Sequence, residues 1–332
     1  MFPRHVFYGD VMSKKHLVSA GAFFVALGAL FIPVEGSAPA ATGPIAKAGS
    51  LDLSGTSSAR PDAPLDLLFI HHSVGGQMLT DPGPEKEKAS CVYEAHPNGG
   101  GLKKKLTEQG YRVHEASYGS AIGEDTDLFH WAPKFRDRMD KVLRVAMNDQ
   151  MHPDGVVNRI VVFKSCYPNN RFVGEGTAPG NPAGPELTVW NAKATLASLL
   201  PELAKRKDTL FVYVTAPANV LKRSKEPAWK WTVKQILGRP SEAQVLQRQA
   251  DHARSFNNWV KSPDGWLSGY PEKNVVVFDY YDVLTNRGES NFSQYGSEGG
   301  TDNHPSREGN EKAADEFVPF LNQAVRRMGL ST

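Results

Sequence analysis

The stretch Leu65-Asp66-Leu67-Leu68-Phe69-Ile70-His71-His72-Ser73-Val74-Gly75-Gly76 decides how this chain reads. Its first half is an apolar run of strand length. Its second half changes character at once, with two histidines, a serine and two glycines that let the backbone turn sharply. In open α/β sheets ligands bind beyond the carboxyl ends of the strands. A serine at a strand-to-helix turn exposes its hydroxyl there, with a helix N-terminus behind it that favours negative charge. Taken alone, a serine before glycines is as readily an ordinary helix cap.

Working outward, strand-like segments recur at Tyr111 to Ser117, Arg159 to Phe163, Leu210 to Val214 and Asn274 to Phe278. Helical spacing separates them. Gly101 to Gln109 carries Leu102 and Leu106 on one side and ends at Gly110, a residue suited to a helix C-terminus. Leu187 to Lys205, residues 241–260 and the segment from Ser306 to Met328 also read as helices. Strands that alternate with helices imply βαβ units and a parallel sheet. Continuous rather than alternating apolar strands imply burial on both faces. The expected fold is α/β: a three-layer αβα sandwich with a flavodoxin-like, doubly wound parallel sheet of about five strands. Residues 80–100, and 221–240 with Trp229 and Trp231, fit neither pattern and read as insertions at the rim of the site.

The bulk numbers agree with a globular domain. Of 332 residues, 40% are hydrophobic and 22% charged, and the formal net charge is only +2. The basic residues are scattered, which gives no electrostatic footprint for nucleic acid or an anionic membrane. Near the start, Lys14-Lys15-His16 precedes an almost wholly apolar run from Leu17 to Val34, then Glu35-Gly36-Ser37-Ala38-Pro39-Ala40. That is the layout of a signal peptide over residues 1–40, with Met12 suited to be the true start. The rival reading is an uncleaved membrane anchor over residues 17–34. Residues 41–64 read as a flexible linker and 65–330 as the folded domain, placed outside the cytoplasm as a secreted or periplasmic protein. Export would permit a disulfide between Cys91 and Cys166; the alternative is two unpaired thiols, one beside the site. Oligomeric state leaves no signal.

Two further segments follow strands and so face the same edge, and a third precedes a helix. Ser117 to Thr126 contains Gly119 and Gly123, either of which can bring a bare N–H to a ligand oxygen. Lys164-Ser165-Cys166-Tyr167-Pro168-Asn169-Asn170 offers a side-chain amide. Asp302-Asn303-His304-Pro305-Ser306 stands directly before the last helix. In order and content these blocks resemble the SGNH (GDSL-type) hydrolase family. Phe69 to Ser73 looks like its first block, with His-His in place of Gly-Asp. Ile122 to Thr126 resembles the second, which favours Gly123. Lys164 to Asn170 resembles the third loosely, with Cys166 at the counted position of the family's Asn and Asn169 or Asn170 fitting a longer loop. Asp302 to His304 resembles the fourth one residue short, with Thr301 at the family's Asp position.

The resemblance implies Ser73 as nucleophile, His304 as its base and Asp302 as the residue that orients His304. The Ser73 and Gly123 N–H groups and the Asn169 amide would form the oxyanion hole. No cofactor is implied. The expected activity is an exported serine esterase that removes an O-acyl group, such as acetyl, from a carbohydrate or small-molecule ester. His72 and Trp131 are candidates for substrate contact, with Trp190, Trp229 and Trp231 as further sugar-stacking candidates.

Two alternatives share the fold: a catalytically inactive carbohydrate-binding protein and an O-acyltransferase. A metal centre among His71, His72, His96 and His304 has little support, because adjacent histidines on a strand point to opposite faces and no H-x-x-x-H spacing exists.

Overall fold

The computed structural model describes residues 52–222 and 236–330. The signal or anchor segment, and Trp229 and Trp231, lie outside the described residues. Five parallel strands form the body of the sheet: β1 (Leu65–Ile70), β5 (Tyr111–Ala116), β8 (Ile160–Lys164), β9 (Leu210–Val214) and β10 (Val275–Phe278). Nearly every residue of β1, β8, β9 and β10 is buried, because helices cover both faces. The spatial order is β10-β9-β8-β1-β5, continued at one edge by β6 (Val145–Met147) and β7 (Gln150–Met151). Taking the five long strands alone, this is the doubly wound order of flavodoxin-like sheets. Its direction of winding switches at β1, between β8 and β5. The residues after β1 therefore emerge where the crevice opens.

Strand alternation divides the core in two. Leu68, Ile70, Val161, Phe163, Phe211 and Tyr213 face one side, beneath helices α3 (Trp131–Arg144), α4 (Val189–Leu203) and α5 (Glu242–Lys261). Leu67, Phe69, Val162, Val212, Val276 and Phe278 face the other, beneath α1 (Ser73–Leu79), α2 (Leu102–Glu108) and α7 (Arg307–Met328). Each such fully buried side chain contributes about 1.5–3 kcal/mol. A short helix, α6 (Tyr280–Leu284), follows β10. The expected three-layer sandwich is therefore present, with its five principal strands where the sequence places them.

Three regions depart from expectation. Residues 80–100 are not an irregular insertion; they form a small second sheet in the order β2-β4-β3, from β2 (Asp81–Pro82), β3 (Lys86–Ala89) and β4 (Val92–His96). The charges of Lys86-Glu87-Lys88 hide the strand because that strand is exposed. Helix α3 also escapes the sequence reading, since it carries Pro133 and seven charged residues. The linker reading does not hold from Asp52 onward. Asn322, Gln323 and Arg326 on α7 donate hydrogen bonds to the carbonyls of Ser58, Thr56, Ala59 and Arg60, which straps this stretch to the last helix.

Candidate active site

β1 is followed at once by the Ser73 turn. His71 is wholly buried, and His72 is the extended residue before α1, which begins at Ser73. The two glycines are required by close approach. A Cβ on Gly75 would stand 2.3 Å from the Cβ of His71, and one on Gly76 would stand 1.9 Å from the Cys91 carbonyl oxygen. Only bare backbone lets α1 leave the strand at this angle. Ser73 keeps partial exposure.

Asp302, Asn303, His304 and Pro305 form a short extended strand, β11 (Asp302–Pro305), just before α7. Alternate residues of an extended strand share a face. Asp302 and His304 therefore point to the same side, while Asn303 points inward and accepts the Val220 N–H at 2.9 Å. This is why a two-residue spacing suffices: Asp302 Oδ2 lies 2.7 Å from His304 Nδ1. His304 Nε2 in turn lies 3.0 Å from Ser73 Oγ. Ser297 donates its hydroxyl to the same Asp302 oxygen at 3.1 Å. Burial pushes the Asp302 carboxyl up, but the hydrogen bond and charge of His304 outweigh it and hold the group below its ordinary value. The Tyr167 ring stands edge-on to the imidazole at 5.3 Å.

The other predicted residues are placed as follows. Gly123 lies on the loop after β5, close over Ser117, where a Cβ would fall 2.1 Å from a backbone oxygen. Its N–H donates to Ser120 Oγ at 3.0 Å. Asn169 donates its amide to Asp127 Oδ1 at 2.9 Å and to the Cys166 carbonyl at 3.3 Å, and accepts the Leu128 N–H at 2.7 Å. Asn170 donates to the carbonyls of Ala216 and Pro217. Both asparagines thus tie loops in this state. The Ser73 N–H, at the first helical position, has no intrahelical acceptor. Cys91 and Cys166 are unpaired. Beside them Lys164 is fully buried, with its Nζ 3.7 Å from Cys166 Sγ, and burial pushes its pKa down.

Two substrate-contact expectations need correction. His72 is buried: its Nε2–H donates to the Gly123 carbonyl at 2.8 Å and its Nδ1 accepts from Thr126 Oγ1 at 3.0 Å. Burial pushes its pKa down to about 3, so it stays neutral and braces the glycine loop against the serine turn. The half-exposed ring of Tyr118 stacks on it. Trp131 has no exposed surface; it packs against Phe135 and Phe163 and donates its indole N–H to Ser165 Oγ. A tryptophan at the start of a helix whose inner face meets the sheet fills the core, which leaves no face for a sugar.

The sequence reading missed Lys134. Its buried ammonium donates to the carbonyls of Ile122 and Glu124, on either side of Gly123. Desolvation pushes its pKa down to about 8. The signal was a lysine between Trp131 and Phe135 on the inner face of a helix. Also missed was a chain below the serine, buried at His71 and Glu115, in which His71 Nε2 meets Glu115 Oε2 at 3.2 Å and the partly exposed Lys103 donates to Glu115 Oε1 at 2.6 Å.

No family model matches the chain. Among solved structures it is similar to a carbohydrate esterase family 2 enzyme with a carbohydrate-binding domain from Myceliophthora fergusii, at 14% identity and TM-score 0.37, over 80% of this chain and 68% of that one. It is similar to Axe2, an acetylxylan esterase from Geobacillus stearothermophilus, at 12% identity and TM-score 0.35, over 81% and 96%. Among curated proteins, 111 residues are 33% identical to the FAD-binding monooxygenase ausB of Aspergillus calidoustus; the match spans 28% of this chain and 17% of that protein.

Proposed function

We propose that the protein is a serine esterase that acts outside the cytoplasm on an O-acylated carbohydrate or a similar polar ester. The observation that carries this reading is the hydrogen-bonded chain from Ser73 Oγ through His304 to Asp302, at 3.0 and 2.7 Å. It stands where a doubly wound sheet opens its crevice. The resemblance of the same residues to SGNH hydrolases adds support, and the apolar segment from Leu17 to Val34 supports export.

In the proposed reaction Ser73 Oγ attacks the ester carbonyl while His304 Nε2 takes its proton. The tetrahedral intermediate collapses as the C–O bond to the alcohol breaks, and His304 returns the proton to that alcohol. Water then attacks the acyl-enzyme as His304 takes its proton; the bond between Ser73 Oγ and the acyl carbon breaks, His304 returns the proton to Oγ, and the acid leaves. Asp302 holds the Nδ1–H tautomer and stabilises the imidazolium. The Ser73 N–H is the oxyanion donor most open to use. The Gly123 N–H joins it by leaving the Ser120 hydroxyl, and Asn169 by releasing Asp127 or the Cys166 carbonyl. The polar surroundings and the half-exposed Tyr118 suit a hydrophilic substrate better than a long acyl chain.

The test is a panel of short- and long-chain aryl esters beside acetylated polysaccharides, with acid release and transfer to an added alcohol both measured. The expected result is acetate release, with short acyl chains preferred and activity absent in Ser73→Ala. Preference for long chains would overturn the substrate class, and activity that persists in Ser73→Ala would overturn the mechanism.

A further inference from the structure

Away from the serine site, at the β6–β7 edge of the sheet, three residues of metal-binding type converge. Asp66 on β1, His114 on β5 and His152, just after β7, each present one ligand-capable atom within 4.8 Å of the others. Asp66 and His152 are buried and His114 is partly so. Their placement follows from the fold: Asp66 and Arg112 are register partners, so His114 sits two residues further along the neighbouring strand on the same face. The His114 and His152 rings meet edge to face at 4.4 Å.

The surroundings orient each imidazole as a ligand. Nδ1 of His114 donates to the Ala146 carbonyl at 3.2 Å, which directs Nε2 at Asp66 Oδ1, 3.0 Å away. Asn158 donates its amide to the carbonyls of Leu143 and Val145, which fixes its oxygen as an acceptor. That oxygen lies 3.4 Å from His152 Nε2, so the Nε2–H of His152 donates to it and the lone pair is left on Nδ1. Metal-ligating histidines are held in this way, with the far N–H given to a carbonyl or carboxylate. Arg112 holds both oxygens of Asp66, and Arg112 is itself more than half exposed and free to withdraw.

The geometry points to a divalent zinc-type ion bound by Asp66, His114 and His152. Two imidazoles and one carboxylate match Zn²⁺ rather than the all-oxygen preference of Ca²⁺ or Mg²⁺. Tetrahedral bonds of about 2.0–2.2 Å require donors roughly 3.4 Å apart. His114 Nε2 and Asp66 Oδ1, 3.0 Å apart, open slightly and His152 closes in from within 4.8 Å; small side-chain rotations do both, and water completes the coordination. The ion joins β1 and β5 to the segment after β7 and so clamps the sheet edge. It takes no part in the serine chemistry.

The experiment uses the full chain without a histidine tag, with Zn²⁺ binding read by calorimetry and Co²⁺ binding by visible absorption. The expected result is one ion per chain and a raised melting temperature. Binding is lost in His152→Gln and His114→Gln, weakened about 10–100-fold in Asn158→Ala, and unchanged in His304→Gln. If a ligand variant fails to fold, the wild-type chain still decides: Zn²⁺ protects His114 and His152 from diethyl pyrocarbonate, localised by mass spectrometry. No binding, no protection, or binding lost in His304→Gln but kept in His152→Gln would overturn the assignment.

Discussion

Ser73 lies between two histidine–carboxylate pairs that differ in almost every respect but composition. On the open side, His304 and Asp302 are 2.7 Å apart with side chains 24% and 32% exposed. On the buried side, His71 and Glu115 are 3.2 Å apart with side chains 0% and 3% exposed. The second nitrogen of His304 meets a hydroxyl, whereas that of His71 meets the backbone carbonyl of His72. A carboxylate beside an imidazole therefore does not make a base. On the proposed reading, what the other nitrogen faces, and whether substrate can reach it, separates chemistry from architecture. The buried pair fixes the strand end from which the serine turn departs.

The contrast breaks most sharply at the imidazoles. His304→Ala should lower kcat by on the order of 10⁶-fold with the melting temperature little changed, measured on the best ester of the panel. Asp302→Asn should follow at roughly 10⁴-fold, because the wrong imidazole tautomer is then stabilised. If Asp302→Asn costs less than about tenfold, the orienting role passes to another group.

Glu115→Gln should do the reverse. It should cost about 3 kcal/mol of stability at pH 7, since it removes the buried carboxylate that His71 and Lys103 meet, while most of the activity remains. Burial pushes the Glu115 carboxyl up, but the hydrogen bonds and charges of His71 and Lys103 bring it down to about 2 in the folded protein. A carboxyl depressed by folding stabilises the protein above its unfolded pKa of roughly 4.3, and that contribution fades as pH falls toward 2. Urea denaturation of wild type and Glu115→Gln should therefore show a gap at pH 7 that narrows at pH 3. A gap independent of pH would remove this explanation.

Lys134→Met sharpens the account of the glycine loop. Losing its two carbonyl contacts should lower kcat by about 10–100-fold, less than deleting an oxyanion donor outright, with KM nearly constant. Trp131→Phe should have the smallest effect, about 1 kcal/mol of stability from the lost indole hydrogen bond and no change in KM. A raised KM would return Trp131 to the substrate.

Four of the five strands were legible because burial on both faces writes a largely apolar run, as in Leu210 to Val214, which matches β9 residue for residue, whereas β5 is interrupted by Arg112, His114 and Glu115. The exposed strand Lys86–Ala89 carries no such mark, because solvent places no demand on its composition. Ser73 and Gly123 were readable as candidates from the turns after strands, and His304 from its place before the last helix. The reach of Asp302 was not, since it depends on β11 being extended rather than looped. The parts played by Lys134, His72 and Glu115 were equally hidden. A buried charge or ring is recognised by the carbonyls and carboxylates around it, and those come from distant segments.

The most direct test of the central claim is labelling by a fluorophosphonate, which forms a stable adduct only with an activated serine. One adduct per chain is expected, localised by mass spectrometry to Ser73, absent in Ser73→Ala and strongly slowed in His304→Ala, while Glu115→Gln labels at nearly the wild-type rate. A folded protein that takes no label, or that labels at another residue, would contradict it.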